Sequence, residues 1–299
     1  MKNKLFTYIF TAIALLFLTS CVEPIEIETS DSPPVIVIYG IFTDEMKHHS
    51  VMISSSSPYF DNQPNQVISG AEVQIESSAH DIYAFAEVDS IPGQYNTVNE
   101  VAGINGMSYT LKVSVDFNND GTKELYTAAS FMHQSVDIDS IKIRSANLMG
   151  RKRYIMYLYA QDSPSEDYYL SRFKVNDILV RDSISRLSLL NDNIFNGQYM
   201  NGIPLETFRD ATDTSNDDED DDDNDRRRLS LNVDDTVGIL FSRIEEGYYR
   251  FINQCRNEMR GESSFFGTPA SNIVSNISNG GVGYFACYSV TESKTVVKK

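Results

Sequence analysis

From Met107 to Asp116 apolar and polar residues alternate without a break. Met107, Tyr109, Leu111, Val113 and Val115 fall on one side, and Ser108, Thr110, Lys112 and Ser114 on the other. Successive side chains of a strand point to opposite faces, so this spacing fits a strand buried on one face and no amphipathic helix. Val67 to Glu76 repeats the pattern, with Val67, Ala71, Val73 and Ile75 opposite Glu72, Gln74 and Glu76. Around these lie an apolar run from Val35 to Ile41, a polar turn from Thr43 to His49, and short strand-like stretches at Ser50 to Ser54, Ile82 to Val88 and Pro92 to Tyr95. Asn119-Asp120-Gly121 then turns the chain onto Glu124 to Met132. Short strands punctuated by glycine and asparagine predict an antiparallel β-sandwich of immunoglobulin-like size over residues 35–136.

Beyond Asp137 the pattern predicts a second, β-rich domain over 137–299. Ile138 to Ile143 and Tyr154 to Ala160 read as strands, and Tyr168 to Val175 and Ile178 to Ile184 as a hairpin around Asn176-Asp177. A loop-rich stretch follows through Asn191 to Gly197, and alternation returns at Leu229, Leu231 and Val233. Leu240, Phe241, Ile244, Tyr248, Phe251, Ile252, Cys255 and Met259 recur at three- and four-residue steps, which predicts one amphipathic helix at about 239–260, stopped by Gly261. Core packing accounts for its aromatic residues. A last strand is predicted from Val282 to Val290. The fold class is therefore mainly β, with an immunoglobulin-like sandwich followed by a β-rich domain that carries one helix.

The N-terminus has a different character. Lys2 and Lys4 precede an apolar run from Leu5 to Leu18, too short and too early for a membrane span. It ends in Leu18-Thr19-Ser20-Cys21, which resembles the lipobox of bacterial lipoproteins, whose cysteine is acylated and becomes the new N-terminus after cleavage. Residues 1–20 read as a lipoprotein signal peptide, Cys21 as the lipidation site, and 21–34 as an acidic tether ending in Pro33-Pro34. The implied partner of that end of the chain is a membrane, reached through the lipid anchor.

Charge narrows the function further. The formal net charge is −17, and loss of Lys2 and Lys4 with the signal peptide takes it to −19. Such a polyanion repels nucleic acid and anionic lipid. Nine of the carboxylates crowd between Asp213 and Asp225, ahead of Arg226-Arg227-Arg228. Like charges at that density repel one another, so residues 211–228 read as a solvated, disordered acidic loop. Cys255 and Cys287 remain as a pair or as two buried thiols, and the sequence leaves both open.

Motifs that carry chemistry are sparse. Asp116, Asn118, Asp120 and Gly121 match the opening of a calcium loop, but the twelfth position is Thr127 rather than a bidentate glutamate, and strands flank it. An Asn-Asp-Gly hairpin turn explains the same residues. His48, His49, His80 and His133 have no metalloprotease spacing and no glycine-flanked serine nearby, and His48-His49 sits in a polar turn where exposure is expected. No catalytic, metal-binding or cofactor-binding residue is assigned, and the ligand-binding residues are unknown at this level.

The order of the pieces carries a resemblance. Cys21 and its tether, Val35-Ile36-Val37-Ile38-Tyr39-Gly40, Ser69 to Val73, Pro92 to Tyr95, Gly106 to Leu111, Phe195 to Gln198, Tyr248-Tyr249 and Gly280 to Phe285 resemble a Bacteroidota family of outer-membrane lipoproteins known only as a domain of unknown function. Its members are often encoded beside TonB-dependent receptors. The resemblance implies a binding or accessory lipoprotein working with such a receptor; a structural or adhesive surface protein and a hydrolase are the other classes. A concave aromatic patch from Tyr154, Tyr157, Tyr159, Tyr168, Tyr169 or Tyr199 would favour ligand capture, and a buried cluster of carboxylates or histidines would favour an enzyme. The anchor is directly testable: replacing Cys21→Ala should move the protein from the detergent phase to the aqueous phase on Triton X-114 partition. Unchanged partition contradicts lipidation at Cys21.

Overall fold

The alternating segments form antiparallel strands in a computed structural model that describes residues 33–56, 66–213, 230–259 and 273–298. The signal peptide, Cys21, nearly all of the tether and most of the acidic run lie outside the described residues. From Pro34 on, the chain forms one unit. Its fold is mainly β, as the alternation predicts, with a single α-helix among the described residues.

The first sheet has eight strands. In chain order they are β1 (Ile36–Thr43), β2 (Ser50–Ser55), β3 (Glu72–Ser77), β4 (Ile82–Val88), β5 (Ile91–Thr97), β6 (Ser108–Val115), β7 (Glu124–Phe131) and, far downstream, β16 (Val282–Tyr288). They lie side by side as β16-β1-β2-β5-β4-β3-β6-β7. The sheet folds back until it is nearly closed. Its inward residues, among them Ile36, Ile38, Phe42, Ile53, Ile75, Tyr95, Tyr109, Leu111 and Phe285, form one buried core. The two outer edges meet through a short bridge. Cys287 N donates to Ser130 Oγ at 2.8 Å, Ser278 N to Thr127 O at 2.8 Å, and Thr127 N to Ser278 Oγ at 2.7 Å.

The remaining strands make two smaller sheets. One joins β8 (Ile138–Leu148), β9 (Arg151–Gln161), β13 (Tyr199–Asp210) and β14 (Ser230–Leu231); the other joins β10 (Tyr168–Val175), β11 (Ile178–Val180), β12 (Ser188–Asn191), β15 (Thr236–Ile244) and β17 (Thr291–Val296). Met156 and Leu158 of β9, Phe208 of β13, Tyr169 and Phe173 of β10, and Ile239 and Phe241 of β15 share a second core. Asn176 and Asp177 take positive φ, 51° and 64°, as the predicted β10–β11 turn requires.

Three expectations need correction. The helix, α1, is Glu246–Met259, and Leu240, Phe241 and Ile244 belong to β15 instead. That strand is buried on both faces: Val237, Ile239 and Phe241 enter the second core, while Ile244 packs under the helix. An apolar run buried on both sides has no polar face to reveal its period, so it merged with the helical pattern that follows. Second, the boundary at 136/137 does not separate two contiguous domains, because β16 pairs in parallel with β1 in the first sheet, Ile38 opposite Gly283. The strand expected at 282–290 is β16, and it is followed by β17, in a different sheet, which was not expected. Third, β13, twelve residues long, follows the loop-rich stretch where no strand was expected, and its register shifts at Asn201/Ile203 and Pro204/Glu206. Gly202 and Pro204 interrupt its alternation and hide it.

The β1–β16 pairing rests on Gly283. Its φ is +108°, and a Cβ there would stand 2.1 Å from the Ile38 carbonyl oxygen. Neither backbone can yield without breaking the ladder. Gly280, at φ +74°, has open space around it. Gly280→Ala should therefore cost about 1–2 kcal/mol for a left-handed alanine, whereas Gly283→Ala should cost several times more and broaden or abolish the cooperative urea transition. Equal losses for the two variants would show that the close approach is unimportant.

Candidate functional site

β16 is buried on both faces. Phe285 and Cys287 enter the first core; Tyr284, Ala286 and Tyr288 turn to the other side and meet Tyr248, Phe251 and Ile252 of α1 and Leu170 of β10. Tyr39 and Ile41 of β1 pack against the same cluster. Alternation along β1 and β16 thus gives each strand a second apolar face, and α1 covers it.

Along this seam, between the first sheet and the β10 sheet, lies a pocket of about 440 Å³. Its apolar wall includes Tyr39, Ile41, Leu170, Leu187, Tyr248 and Tyr288. The Tyr39 and Tyr248 hydroxyls are 2.9 Å apart, and the Tyr248 and Tyr288 rings stack with centroids 6.1 Å apart. Burial pushes the Tyr39, Tyr248 and Tyr288 hydroxyls above the ordinary tyrosine range. All three therefore stay protonated and neutral near pH 7.

Arg172 of β10 supplies the charge. Its side chain is 13% exposed, and its two nearest carboxylates, Glu45 and Asp182, stand at 3.9 and 3.8 Å, beyond hydrogen-bond length. Glu45 is already engaged by Lys47 Nζ at 2.5 Å and by Thr43 Oγ1 at 3.1 Å. Among the described residues the buried Nε of Arg172 has no partner, and none accepts a hydrogen bond from the rest of the guanidinium. Burial opposes the charge of Arg172, but the surrounding tyrosines, Asp182 and Glu45 outweigh it and hold its pKa above the usual arginine value. Lys47, Arg172 and Asp182 are the formally charged side chains lining the pocket, so their sum is one positive charge. A guanidinium offers five donors in a planar fork that matches a carboxylate. Here that fork is held in an aromatic wall with its hydrogen-bonding capacity unspent.

His49 also lines the pocket, and it is buried, not exposed as its polar turn suggested. Nδ1 accepts from Thr43 N at 3.4 Å, and Nε2 lies 3.0 Å from the Val101 carbonyl, to which it must donate. Both nitrogens of this neutral ring are used in holding three chain segments together. His48 is exposed, as expected, with Nδ1 2.7 Å from the Thr97 carbonyl; His80 is exposed beside Glu76, and His133 is half-buried against Phe131.

The aromatic residues singled out in the sequence do not form one patch. Tyr154 and Tyr169 are core residues, Tyr157 and Tyr159 are covered by Arg144 and Lys142, Tyr168 packs on Tyr249, and Tyr199 is exposed. Alternation offered no signal for the true aromatic wall, since Tyr39, Tyr248 and Tyr288 lie more than two hundred residues apart in part and meet only through the β1–β16 pairing. The Asp116 hairpin is satisfied as a turn: Asp116 accepts from Asp120 N at 3.0 Å and Gly121 N at 2.9 Å, and Asn119 and Gly121 take positive φ. Cys255 and Cys287 are both free thiols. Asp213, at the start of the acidic run, pairs with Arg153 at 2.6 Å. A buried carboxylate cluster does exist, formed by Asp162, Asp167 and Asp192, with no histidine among its ligand-capable side chains.

A family described as a domain of unknown function (DUF4249) matches residues 22–294. The chain belongs to that family. A comparison with curated proteins finds no match. The DUF4249 region includes every strand of the three sheets, with β17 covered as far as residue 294, and it contains the whole pocket. Among the described residues no helix is long and apolar enough to cross a membrane.

Burial of His49 and His133 lowers both imidazole pKa values. The unfolded chain, with histidines near the ordinary value of about 6.5, binds protons that these folded side chains resist, so stability falls as pH drops from about 7 to about 5. His49→Gln should be less stable than the parent at pH 8 but flatter in its dependence of Tm on pH across that window. Parallel curves would show that His49 is not a source of the acid sensitivity.

Proposed function

We propose that this DUF4249 protein is an outer-membrane lipoprotein of Bacteroidota type that captures a small anionic ligand and works with a TonB-dependent receptor. The carrying observation is Arg172, a nearly buried guanidinium without a hydrogen bond from the described residues, at the wall of an aromatic pocket. Leaving its buried Nε unmet is costly, and a charge-assisted hydrogen bond contributes about 1.5–3 kcal/mol. A carboxylate entering the pocket meets that donor set, while its apolar body rests on Tyr39, Leu170 and Tyr248. Lipobox residues Leu18 to Cys21 support the anchor, and two acyl chains suffice for stable membrane attachment. Anchoring confines the protein to a plane and raises its effective concentration near a membrane receptor, so a weak contact is enough for transfer. Capture is favoured over adhesion because the site is concave; the buried carboxylates Asp162, Asp167 and Asp192 do not line it, and both nitrogens of His49, which does, are engaged.

Calorimetry or thermal-shift titration of the mature protein with matched aromatic and aliphatic monocarboxylates and their amides checks the ligand class. Carboxylates should bind and amides should not, and Arg172→Gln should weaken carboxylate binding roughly 10- to 100-fold, as loss of a charge-assisted pair demands. Equal affinity for acid and amide overturns the anionic-ligand reading. Tagged full-length protein should recover an outer-membrane barrel from detergent-solubilised membranes; recovery of none would favour the adhesive alternative.

A further inference from the structure

Three aspartates that the sequence does not bring together converge at one end of the two smaller sheets. Asp162 follows β9, Asp167 precedes β10, and Asp192 follows β12. All three are buried, Asp192 at 0% exposure, and each brings an oxygen within 4.8 Å of the others. Among the described residues Arg243, 2.5 Å from Asp167, is the one cation paired with the three carboxyl groups. Buried charge of that kind is strongly unfavourable unless it is paired or coordinates a metal.

Donors already orient each carboxylate. Gly197 N donates to Asp162 Oδ2 at 2.8 Å, Asp167 N donates to Asp192 Oδ2 at 2.8 Å, and Tyr169 Oη donates to Asp162 Oδ1. Ser163 Oγ and Ser165 Oγ donate to Asp167 at 2.5 and 3.2 Å. The other oxygen of Asp192, Oδ1, is fully buried and has no hydrogen-bond partner among the described residues. A buried, unpartnered carboxylate oxygen beside two more carboxylates is what a hard cation completes. Outer donors that fix the ligands are the usual companions of such a site. A cavity of about 220 Å³ opens onto Asp162 and Asp167 and gives access.

We propose that Asp162, Asp167 and Asp192 bind a calcium ion that ties the Asp162–Asp167 loop to the Asp192–Gly197 turn. Oxygen-only ligands select a hard cation, and the irregular set of loop residues suits Ca²⁺ better than Mg²⁺, which demands near-ideal octahedral geometry. The role is structural, since the site joins the chain ends of β9, β10, β12 and β13. It is separate from the Arg172 pocket and does not depend on it.

The test uses mature protein stripped of metal with EGTA, followed by CaCl2 or MgCl2 titration with Tm and calorimetry as readouts. Ca²⁺ should bind with a stoichiometry of one at this site and raise Tm by roughly 5–10 °C at about a hundredfold excess over Kd, with a smaller effect of Mg²⁺. Asp192→Asn keeps an acceptor for Asp167 N and removes the charge, so it should abolish the calcium-dependent shift without lowering the calcium-free Tm. Asp120→Asn, in the exposed hairpin, should leave the shift intact. The proposal fails if the parent shows no calcium-dependent shift, if Asp192→Asn retains it, or if Asp120→Asn or removal of residues 214–225 abolishes it. Should Asp192→Asn not fold, Asp162→Asn with the same readouts decides between the same outcomes.

Discussion

The parallel pairing of β16 with β1 is the constraint on which the rest depends. It closes the first sheet to within one bridge of β7, and it gives β16 two buried faces that belong to different cores. A chain of hydrogen bonds locks it there: Glu245 accepts from Ser130 Oγ at 2.6 Å, and Ser130 Oγ in turn accepts from Cys287 N. Glu245 lies at the junction of β15 and α1, so sheet closure, the β10 sheet and the helix are positioned by one part-buried polar contact. The bond to the Glu245 carboxylate contributes about 1.5–3 kcal/mol and the neutral bond from Cys287 N about 1 kcal/mol net.

Placing two β structures back to back along one shared strand creates a seam that neither could form alone. One wall comes from β1 and β2, the other from β10 and the segment after β11, and α1 closes the end. The seam is apolar because β1 and β16 alternate two apolar faces, yet Arg172 points into the same region. Its charge survives there because Glu45 and Asp182 stand near enough to act through space and too far to consume its donors. This separation of charge balance from hydrogen bonding leaves the guanidinium's donors untaken by either carboxylate.

The opposite end of the smaller sheets solves a similar problem with the opposite sign. Asp162, Asp167 and Asp192 are held by Tyr169, Gly197 and the two serines, and among the described residues Arg243 alone pairs with them. Tyr169 is a core residue whose ring stacks on Phe241 at 5.0 Å, so the aspartate cluster is anchored to the second core itself.

Single strands and turns were legible in the sequence because they are local. Alternation at β6, the continuous apolar run of β1, and the Asn176-Asp177 and Asn119 to Gly121 turns depend on residues within a few positions of one another, and each is found where the pattern puts it. The mainly β class and the lone helix follow from the same signals. What only the tertiary structure decided was partnership over long separations. Which strand lies beside β1, whether Leu240 to Ile244 is helix or strand, and which tyrosines meet were all settled by pairing and two-sided burial, for which neighbouring residues carry no periodic mark. Both candidate sites are of this kind: Arg172 gains meaning from Tyr39, Tyr248 and Tyr288, and Asp192 from Asp162 and Asp167, through contacts that exist only once the sheets have assembled.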